Sequence, residues 1–222
     1  MTILRKLGNA LKNRRVILVV SLFFLICFLL MVFLKNDFLA IDADVNIWSA
    51  SIQNTSLTLA ATIIHYIFDT PAMVVICLLI VLFLFYKKHK YDGLFLAGTM
   101  LGDLVILTSV KMVIHSARPL NGLIDEKDFS FPSGHVMSAT VLFCILIYLG
   151  WQHWKSQKIK LITASIFFAL LDLIIGFSRI YLNVHWLSDV VAGYLLGLCW
   201  VLFSIWVFQY FQRNSAIVID NK

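Results

Sequence analysis

The sequence predicts an all-α, polytopic membrane protein with six transmembrane helices packed in a bundle. Three observations favour this class: 61% of the 222 residues are hydrophobic, the mean hydropathy is +0.90, and only 14% of the residues are charged. Soluble domains of this size are far less apolar. The basic residues cluster between apolar runs, which is typical of a membrane protein and argues against a nucleic-acid-binding protein.

The first apolar run covers residues 16–34 and contains no charged residue. Its length is close to the roughly 20 residues that a helix needs to cross a bilayer. A basic leader, residues 1–15, precedes it, and no convincing cleavage site follows, so we expect a retained anchor. Residues 35–70 are mixed and predict a loop with a short helix that lies at the membrane surface or leans on the bundle. The second span, residues 71–86, begins with a proline, which helices tolerate at their start.

Four further apolar runs complete the bundle. They cover residues 92–114, 133–151, 159–177 and 186–208. With six spans both termini lie on one side, and most of the 18 lysines and arginines fall on that side. The positive-inside rule therefore predicts cytoplasmic termini and an outward-facing loop after the third span.

The predicted organisation is a single membrane domain with short extensions. A cytoplasmic leader (1–15) precedes a six-span domain (16–210, with its core at 92–208), and a cytoplasmic tail (211–222) follows. Each of the four cysteines stands alone in an apolar run; they are Cys27, Cys77, Cys144 and Cys199. This spacing predicts neither a disulfide nor a structural metal site.

The stretch from Phe131 to His135 reads Phe-Pro-Ser-Gly-His and opens directly into the fourth span. Such a turn presents free backbone N–H groups at the positive end of a helix, where an anion binds well. A histidine in the first turn adds a group that titrates near neutral pH. The alternative is a serine-capped helix start with an interfacial histidine.

Three cations are expected at the same depth as this turn: Lys111, Arg118 and Arg179. Charged groups at membrane depth normally face the bundle interior, and cations that converge there repel one another unless an anion binds. A phosphate suits them, since arginine can bind it with two parallel hydrogen bonds. The Ser133 hydroxyl and the Gly134 N–H add donors.

Two histidines complete the predicted site. His185 and Asp189 are four residues apart, so a helix would place them on one face. A carboxylate that holds one imidazole nitrogen raises the basicity of the other, as in activated nucleophiles. His135 then serves as proton donor to the leaving oxygen. The pattern predicts phosphoryl transfer to His185 and hydrolysis of the phosphohistidine, with no metal or other cofactor required.

Three motifs carry a family resemblance. They are Lys111-x6-Arg118-Pro119, Pro132-Ser133-Gly134-His135 and Ser178-Arg179-x5-His185-x3-Asp189. Together they resemble the signature of the type 2 phosphatidic acid phosphatases, the lipid phosphate phosphatases. The resemblance implies that His135 is the acid and His185 the nucleophile. Soluble vanadium haloperoxidases share this anion pocket, but six spans argue against that branch.

The resemblance implies a lipid phosphatase of the bacterial inner membrane, with its active site at the outer face. The expected substrate is undecaprenyl diphosphate, because the site faces outward; phosphatidylglycerol phosphate and phosphatidic acid are the alternatives. Transfer of the phosphoryl group to an alcohol is also open. A different class, an anionic-lipid transporter or binding protein, would use the same cations without a nucleophile. The sequence predicts no oligomeric state.

Several other polar residues have predicted structural roles. We expect Asp103 to make a buried hydrogen bond, and Asp172 to pair with Arg179 or with a neighbouring span. His65 and Asp69, four residues apart, are expected to form a surface pair, with a place at the substrate entrance as the alternative.

Two further predictions concern the outward side. The loop residues 125–128, which read Asp-Glu-Lys-Asp, are expected to be solvated. Tyr181 and Trp186 are expected to anchor at the membrane interface.

Overall fold

The computed structural model describes residues 13–154 and 156–220, and the side chains of 213–220 are not described. Most of the predicted leader, Lys155 and the last two residues of the predicted tail thus lie outside the described residues. The described part contains eight α-helices and a short 3-10 helix, Lys35–Phe38. The α-helices are α1 (Arg14–Phe33), α2 (Leu39–Ser51), α3 (Thr55–Phe68), α4 (Thr70–Tyr86), α5 (Lys90–Ile114), α6 (Gly134–His153), α7 (Lys158–Tyr181) and α8 (Leu187–Asp220).

Five of these helices are long and apolar enough to cross a membrane: α1, α5, α6, α7 and α8. Helices α3 and α4 meet the same length and composition criteria only as a pair; with a bend of 54° between them they are either one broken span or a re-entrant segment, so the described residues hold five or six spans. The bend lies at Asp69, whose backbone is extended and whose carboxylate accepts a hydrogen bond from the Thr70 N–H, 2.7 Å away. The prediction of an all-α, multi-pass membrane protein is confirmed.

The prediction for residues 35–70 is only partly right. Besides the 3-10 helix, this region forms two α-helices, α2 with 13 residues and α3 with 14. Pro71 lies in the first turn of α4 and helps to separate it from α3, because proline has no N–H to continue a helix. Helix α4 begins one residue before the predicted second span, residues 71–86, and ends at the same residue.

Helix α6 lies at the centre of the bundle, where it packs against α5, α7 and α8. Most of its side chains in the first three turns are buried, including Val136, Ala139 and Val141, each 0% exposed. Helix α1 packs along α8 on the periphery. The central place of α6 brings the Pro-Ser-Gly-His turn at its start among the ends of its neighbours.

The start of α8 is held against both α2 and the turn before α6. The Asp42 carboxylate of α2 accepts hydrogen bonds from the Ser188 N–H (2.9 Å) and hydroxyl (2.6 Å). The Ser133 N–H donates to the Asp189 carbonyl at 3.0 Å. A Cβ atom on Gly193 would lie 2.9 Å from the Ser133 carbonyl oxygen, so this close approach requires glycine.

Two aspartates within the spans each accept a hydrogen bond from a hydroxyl group of α6. Asp103 accepts a hydrogen bond from the Ser138 hydroxyl at 2.6 Å, which confirms the predicted buried bond. Asp172 accepts one from the Thr140 hydroxyl of α6 at 2.8 Å, so its partner is a neighbouring span. The interfacial role predicted for Tyr181 is wrong: its side chain is 1% exposed and its hydroxyl accepts from the Asn54 N–H at 2.8 Å.

Candidate active site

The eight predicted site residues lie at one end of the bundle, here called the site end. Neighbouring helices run antiparallel, so the last turns of α5 and α7 meet the first turns of α6 and α8 there. The helices supply Lys111, Gly134, His135, Arg179 and Asp189. The connecting segments supply the other three, Arg118, Ser133 and His185.

His185 and Asp189 are in contact and buried, at 3% and 0% exposure. His185 Nδ1 lies 3.5 Å from Asp189 Oδ2. Helix α8 begins only at Leu187, so the pair forms across a turn and not on one helix face as predicted. That turn is closed by the Trp186 N–H, which donates to Asp189 Oδ2 at 2.9 Å.

Ser130 is a third member of this group that the sequence analysis did not identify. Its hydroxyl is hydrogen-bonded to Asp189 Oδ2 and lies 3.4 Å from His185 Nδ1. Its position directly before the Phe-Pro-Ser-Gly-His stretch was the one available signal. Ser130 and Asp189 together surround the Nδ1 side of the imidazole.

The other nitrogen of His185 faces Arg118. Arg118 Nη1 lies 3.2 Å from His185 Nε2, and it also donates to the Val184 carbonyl at 2.7 Å. Arginine can only donate, so Nε2 accepts and the imidazole proton resides on Nδ1. Burial, and then the charges of Arg118, Lys111 and Arg179, lower the pKa of His185 well below its ordinary value. His185 is therefore neutral at pH 7, with its Nε2 lone pair among cations.

The loop between α5 and α6 places two acids on the predicted phosphate-binding cations. The Asp128 carboxylate forms ion pairs with both Lys111 and Arg118. Glu126 lies 3.6 Å from Arg118 and 3.6 Å from His65. The prediction that this loop is merely solvated is wrong for these two residues. Partial burial would raise the pKa of Asp128, but Lys111 and Arg118 outweigh it, and the pKa lies below its ordinary value.

Arg179 is fully buried, and His65 is its partner. The guanidinium NH1 donates to His65 Nδ1 at 2.7 Å, and two other guanidinium nitrogens donate to the Ser178 hydroxyl at 3.2 and 3.1 Å. His135 donates from Nε2 to the His65 carbonyl at 3.3 Å, and the two rings stack with centroids 5.0 Å apart. The predicted surface pair of His65 and Asp69 is wrong, because α3 leans on the bundle and buries His65 to 5% exposure.

Ser133 is the N-cap residue of α6, but its hydroxyl makes no cap hydrogen bond. The oxygen is buried and has no hydrogen-bond partner among the described residues. A buried hydroxyl without a partner costs free energy. A ligand at the site end would supply the missing partner.

A cavity of about 300 Å³ begins at the site end and continues between α4 and α5. Its polar end is formed by Lys111, Arg118, His135 and His185, together with the two loop acids. Its remaining wall is mostly apolar and includes Met73, Val74, Leu78, Leu101, Leu104 and Leu107, although Asp103 and Ser138 also line it. Leu78 and Leu101 are 55% and 65% exposed, so the cavity opens sideways between the two helices.

Three side chains at the site end have ligand atoms within 4.8 Å of one another: His65, Glu126 and His135. The nitrogen that His65 offers already accepts a hydrogen bond from Arg179. Arg118 stands 3.6 Å from the Glu126 carboxylate. Two guanidinium groups in contact with the cluster disfavour a metal cation there.

A family model described as the PAP2 superfamily matches residues 92–213. The chain belongs to the PAP2 superfamily. This PAP2 protein is 32% identical to phosphatidylglycerophosphatase B of Bacillus subtilis over 120 residues, 52% of this chain and 57% of that protein. It is 30% identical to the undecaprenyl-diphosphatase of Sulfolobus acidocaldarius over 131 residues, 55% of this chain and 57% of that protein. The matches thus span a little more than half the length of these curated relatives.

Two solved structures share the fold. The crystal structure of a transmembrane PAP2-type phosphatidylglycerolphosphate phosphatase from Bacillus subtilis superposes with a TM-score of 0.79 at 23% identity, covering 87% of this chain and 96% of that one. The Aquifex aeolicus LpxE structure superposes with a TM-score of 0.57 at 24% identity, covering 73% and 93%. At these identities, the likeness supports the helical architecture of the PAP2 protein.

Proposed function

We propose that this PAP2 protein is an integral membrane phosphatase that hydrolyses a lipid phosphate or diphosphate through a phosphohistidine. One observation carries the proposal: a cavity whose polar end has cations and two histidines, and whose apolar remainder opens between α4 and α5. A headgroup phosphate fits the first part, and a hydrocarbon chain fits the second.

Binding of the phosphate begins with the cations. Lys111, Arg118 and Arg179 neutralise its oxygens, and the Gly134 N–H and the Ser133 hydroxyl add donors. The Asp128 carboxylate pairs with Lys111 and Arg118 in the free protein, so the phosphate takes over these two partners when it binds. The cations then stabilise the charge that develops on the phosphoryl oxygens in the transition state.

His185 is the proposed nucleophile. Its neutral Nε2 attacks phosphorus while the bond to the leaving oxygen breaks, and His135 gives that oxygen a proton. Asp189 and Ser130 keep the proton on Nδ1 and stabilise the imidazolium character that develops. Water then attacks the phosphohistidine, His135 takes up the water proton, and inorganic phosphate leaves with His185 restored. The cations do the electrostatic work, so we propose that the reaction needs no metal ion.

Undecaprenyl diphosphate is the substrate we favour. The apolar part of the cavity follows one pair of helices, α4 and α5, which suits a single hydrocarbon chain. Two relatives are named for this activity: the Sulfolobus protein and a putative undecaprenyl-diphosphatase of Escherichia coli, 35% identical over 79 residues. Phosphatidylglycerol phosphate is the second candidate, since the Bacillus subtilis relative is named for it.

We propose that the site end faces outward from the bacterial inner membrane, with both termini in the cytoplasm. The opposite end of the bundle carries the basic residues of three segments, among them Arg14, Arg15, Lys87, Lys88 and Lys158. An excess of lysine and arginine marks the cytoplasmic side of membrane proteins. An outward site would meet the carrier lipid where cell-wall synthesis releases it.

The test is phosphate release by the full-length protein, purified in detergent. Undecaprenyl diphosphate, phosphatidylglycerol phosphate and phosphatidic acid are compared by kcat/KM, with and without EDTA. We expect release that vanadate inhibits and EDTA leaves unchanged, and near-complete loss in His185→Ala. Wild-type rates in His185→Ala, or tight lipid binding without any release, would overturn the proposal.

A second test separates the apolar part of the cavity from the chemistry. Leu104→Trp fills the space between α4 and α5 and should lower kcat/KM for the lipid, but not for a short, water-soluble phosphate ester. Leu94→Trp is the matched control, because Leu94 is 57% exposed on the same helix and is not one of the described residues that line the cavity. Equal effects of the two variants on the lipid substrate would contradict this entry route.

A further inference from the structure

The end of the bundle opposite the site end carries a second group of metal-binding side chain types. His89 immediately precedes α5, Asp92 lies in its first turn, and His153 is the last residue of α6. His153 Nε2 is 2.6 Å and His89 Nδ1 is 3.6 Å from the same carboxylate oxygen, Asp92 Oδ2. All three ligand atoms lie within 4.8 Å of one another.

These distances suit a transition-metal ion. Bonds of about 2.0–2.1 Å in a tetrahedral zinc site separate the ligand atoms by roughly 3.4 Å. The 3.6 Å separation already matches, and the 2.6 Å contact would widen when a metal ion binds between the two groups. Two imidazoles and one carboxylate are donors that zinc and its first-row neighbours accept.

Exposure leaves room for an ion and a fourth ligand. The Asp92 side chain is 7% exposed, so the carboxylate is held in place, whereas the His89 and His153 side chains are 45% and 35% exposed. The imidazoles can therefore turn toward an ion, and water can reach the fourth position. The nearby ammonium groups of Lys87 and Lys90 lie over the rings of Tyr86 and Tyr91, respectively.

A simple ion pair explains this geometry less well. One histidine is enough to pair with Asp92, yet two converge on the same oxygen with ring centroids 4.5 Å apart. Two protonated imidazoles at that separation would repel each other. A divalent ion accepts both rings in their neutral form, and the carboxylate offsets part of its charge.

We propose that His89, Asp92 and His153 bind a divalent transition-metal ion, with Zn²⁺ the best fit, and that water fills the fourth position. The ion would join the start of α5 to the end of α6. These helices carry Lys111 and His135 at their other ends, so the ion would stabilise the helix pair without taking part in the reaction, and its removal by EDTA should lower the Tm and leave phosphate release unchanged. The inference does not depend on the proposed lipid phosphatase activity.

The experiment is Zn²⁺ titration of the full-length, His-tag-free protein in detergent by calorimetry, with Co²⁺ absorption as a second measure. We expect one bound equivalent and a tetrahedral Co²⁺ spectrum in the wild type. His153→Ala and His89→Gln should each weaken Zn²⁺ binding at least 30-fold and abolish that spectrum. Zn²⁺ should also raise the Tm of the wild type, but not that of His153→Ala.

Two control variants make the outcome specific. His115→Asn removes an exposed histidine at the other end of α5 and should leave Zn²⁺ binding unchanged. His65→Ala removes a member of the other group of potential ligands and should also retain it. The proposal is overturned if Zn²⁺ affinity is the same in His153→Ala and the wild type, or if binding is lost in His65→Ala instead. Absence of any bound equivalent in the wild type would overturn it too.

Discussion

Replacing Asp128 by asparagine removes the charge that pairs with two proposed phosphate-binding cations in the free protein. Asp128 bridges Lys111 and Arg118, which are both proposed to bind the substrate phosphate. Binding of phosphate must therefore break two ion pairs. Asp128→Asn should lower the stability of the free protein and raise its affinity for an anion.

The magnitude follows from exposure. The Asp128 side chain is 54% exposed, while those of Lys111 and Arg118 are 10% and 12% exposed. Solvent screens such half-exposed pairs, and each contributes about 0.5–1 kcal/mol. The two together are worth about 1–2 kcal/mol, which corresponds to an affinity gain of about 5–30-fold for a phosphate analogue.

The assay combines the inhibition constant of vanadate with thermal unfolding in detergent. Asp128→Asn should lower the inhibition constant by that factor and lower the Tm in the absence of vanadate. Asp125→Asn is the matched control: it removes the same charge from the same loop at an exposed side chain. Weaker vanadate binding in Asp128→Asn would refute the reasoning, because it would mean that Asp128 positions the cations instead of competing with the phosphate.

Three further predictions concern the site and its support. Because burial and neighbouring cations lower the pKa of His185, its neutral form persists below pH 6.5, the ordinary value for histidine. The acid limb of the kcat/KM profile should therefore lie below pH 6.5 as protonation removes the Nε2 lone pair, and a limb above pH 7 would contradict this. His65→Ala removes the acceptor of a buried guanidinium and should lower kcat/KM by about 10–100-fold, with partial recovery in His65→Gln. Unchanged kcat and KM in His65→Ala would show that His65 does not position the Arg179 guanidinium. Gly193→Ala places a Cβ atom 2.9 Å from the Ser133 carbonyl and should destabilise the protein by about 1–3 kcal/mol, measured as a lower Tm. Gly98→Ala is its control, since no atom lies within 4 Å of the added Cβ and the helix should gain slightly.

Much of the fold could be read from local pattern. In a bilayer the backbone must satisfy its own hydrogen bonds, so each long apolar run becomes a helix whatever its neighbours do. The spans from α5 to α8 follow this rule closely. The bent pair of helices was not anticipated, because Thr55–Phe68 is too short to cross a membrane and α4 follows it after a bend.

The candidate site divides in the same way. The cations and histidines of the site end could be assigned to one end of the bundle from the sequence, because helix direction alternates along the chain and motif spacing sets the depth of each residue. It also predicted that Asp103 would be hydrogen-bonded, because a buried carboxylate within a span requires a partner.

The side-chain contacts at both ends of the bundle depend on the tertiary structure. His65 meets Arg179, 114 positions along the chain, because α3 leans on α7. The acids of the 125–128 loop fold onto Lys111 and Arg118, and His153 meets Asp92 across two helix ends. Such contacts depend on how helices pack and how a loop returns. Hydropathy and residue spacing do not predict helix packing or the path of the loop, because they describe neighbours along the chain and not across the bundle.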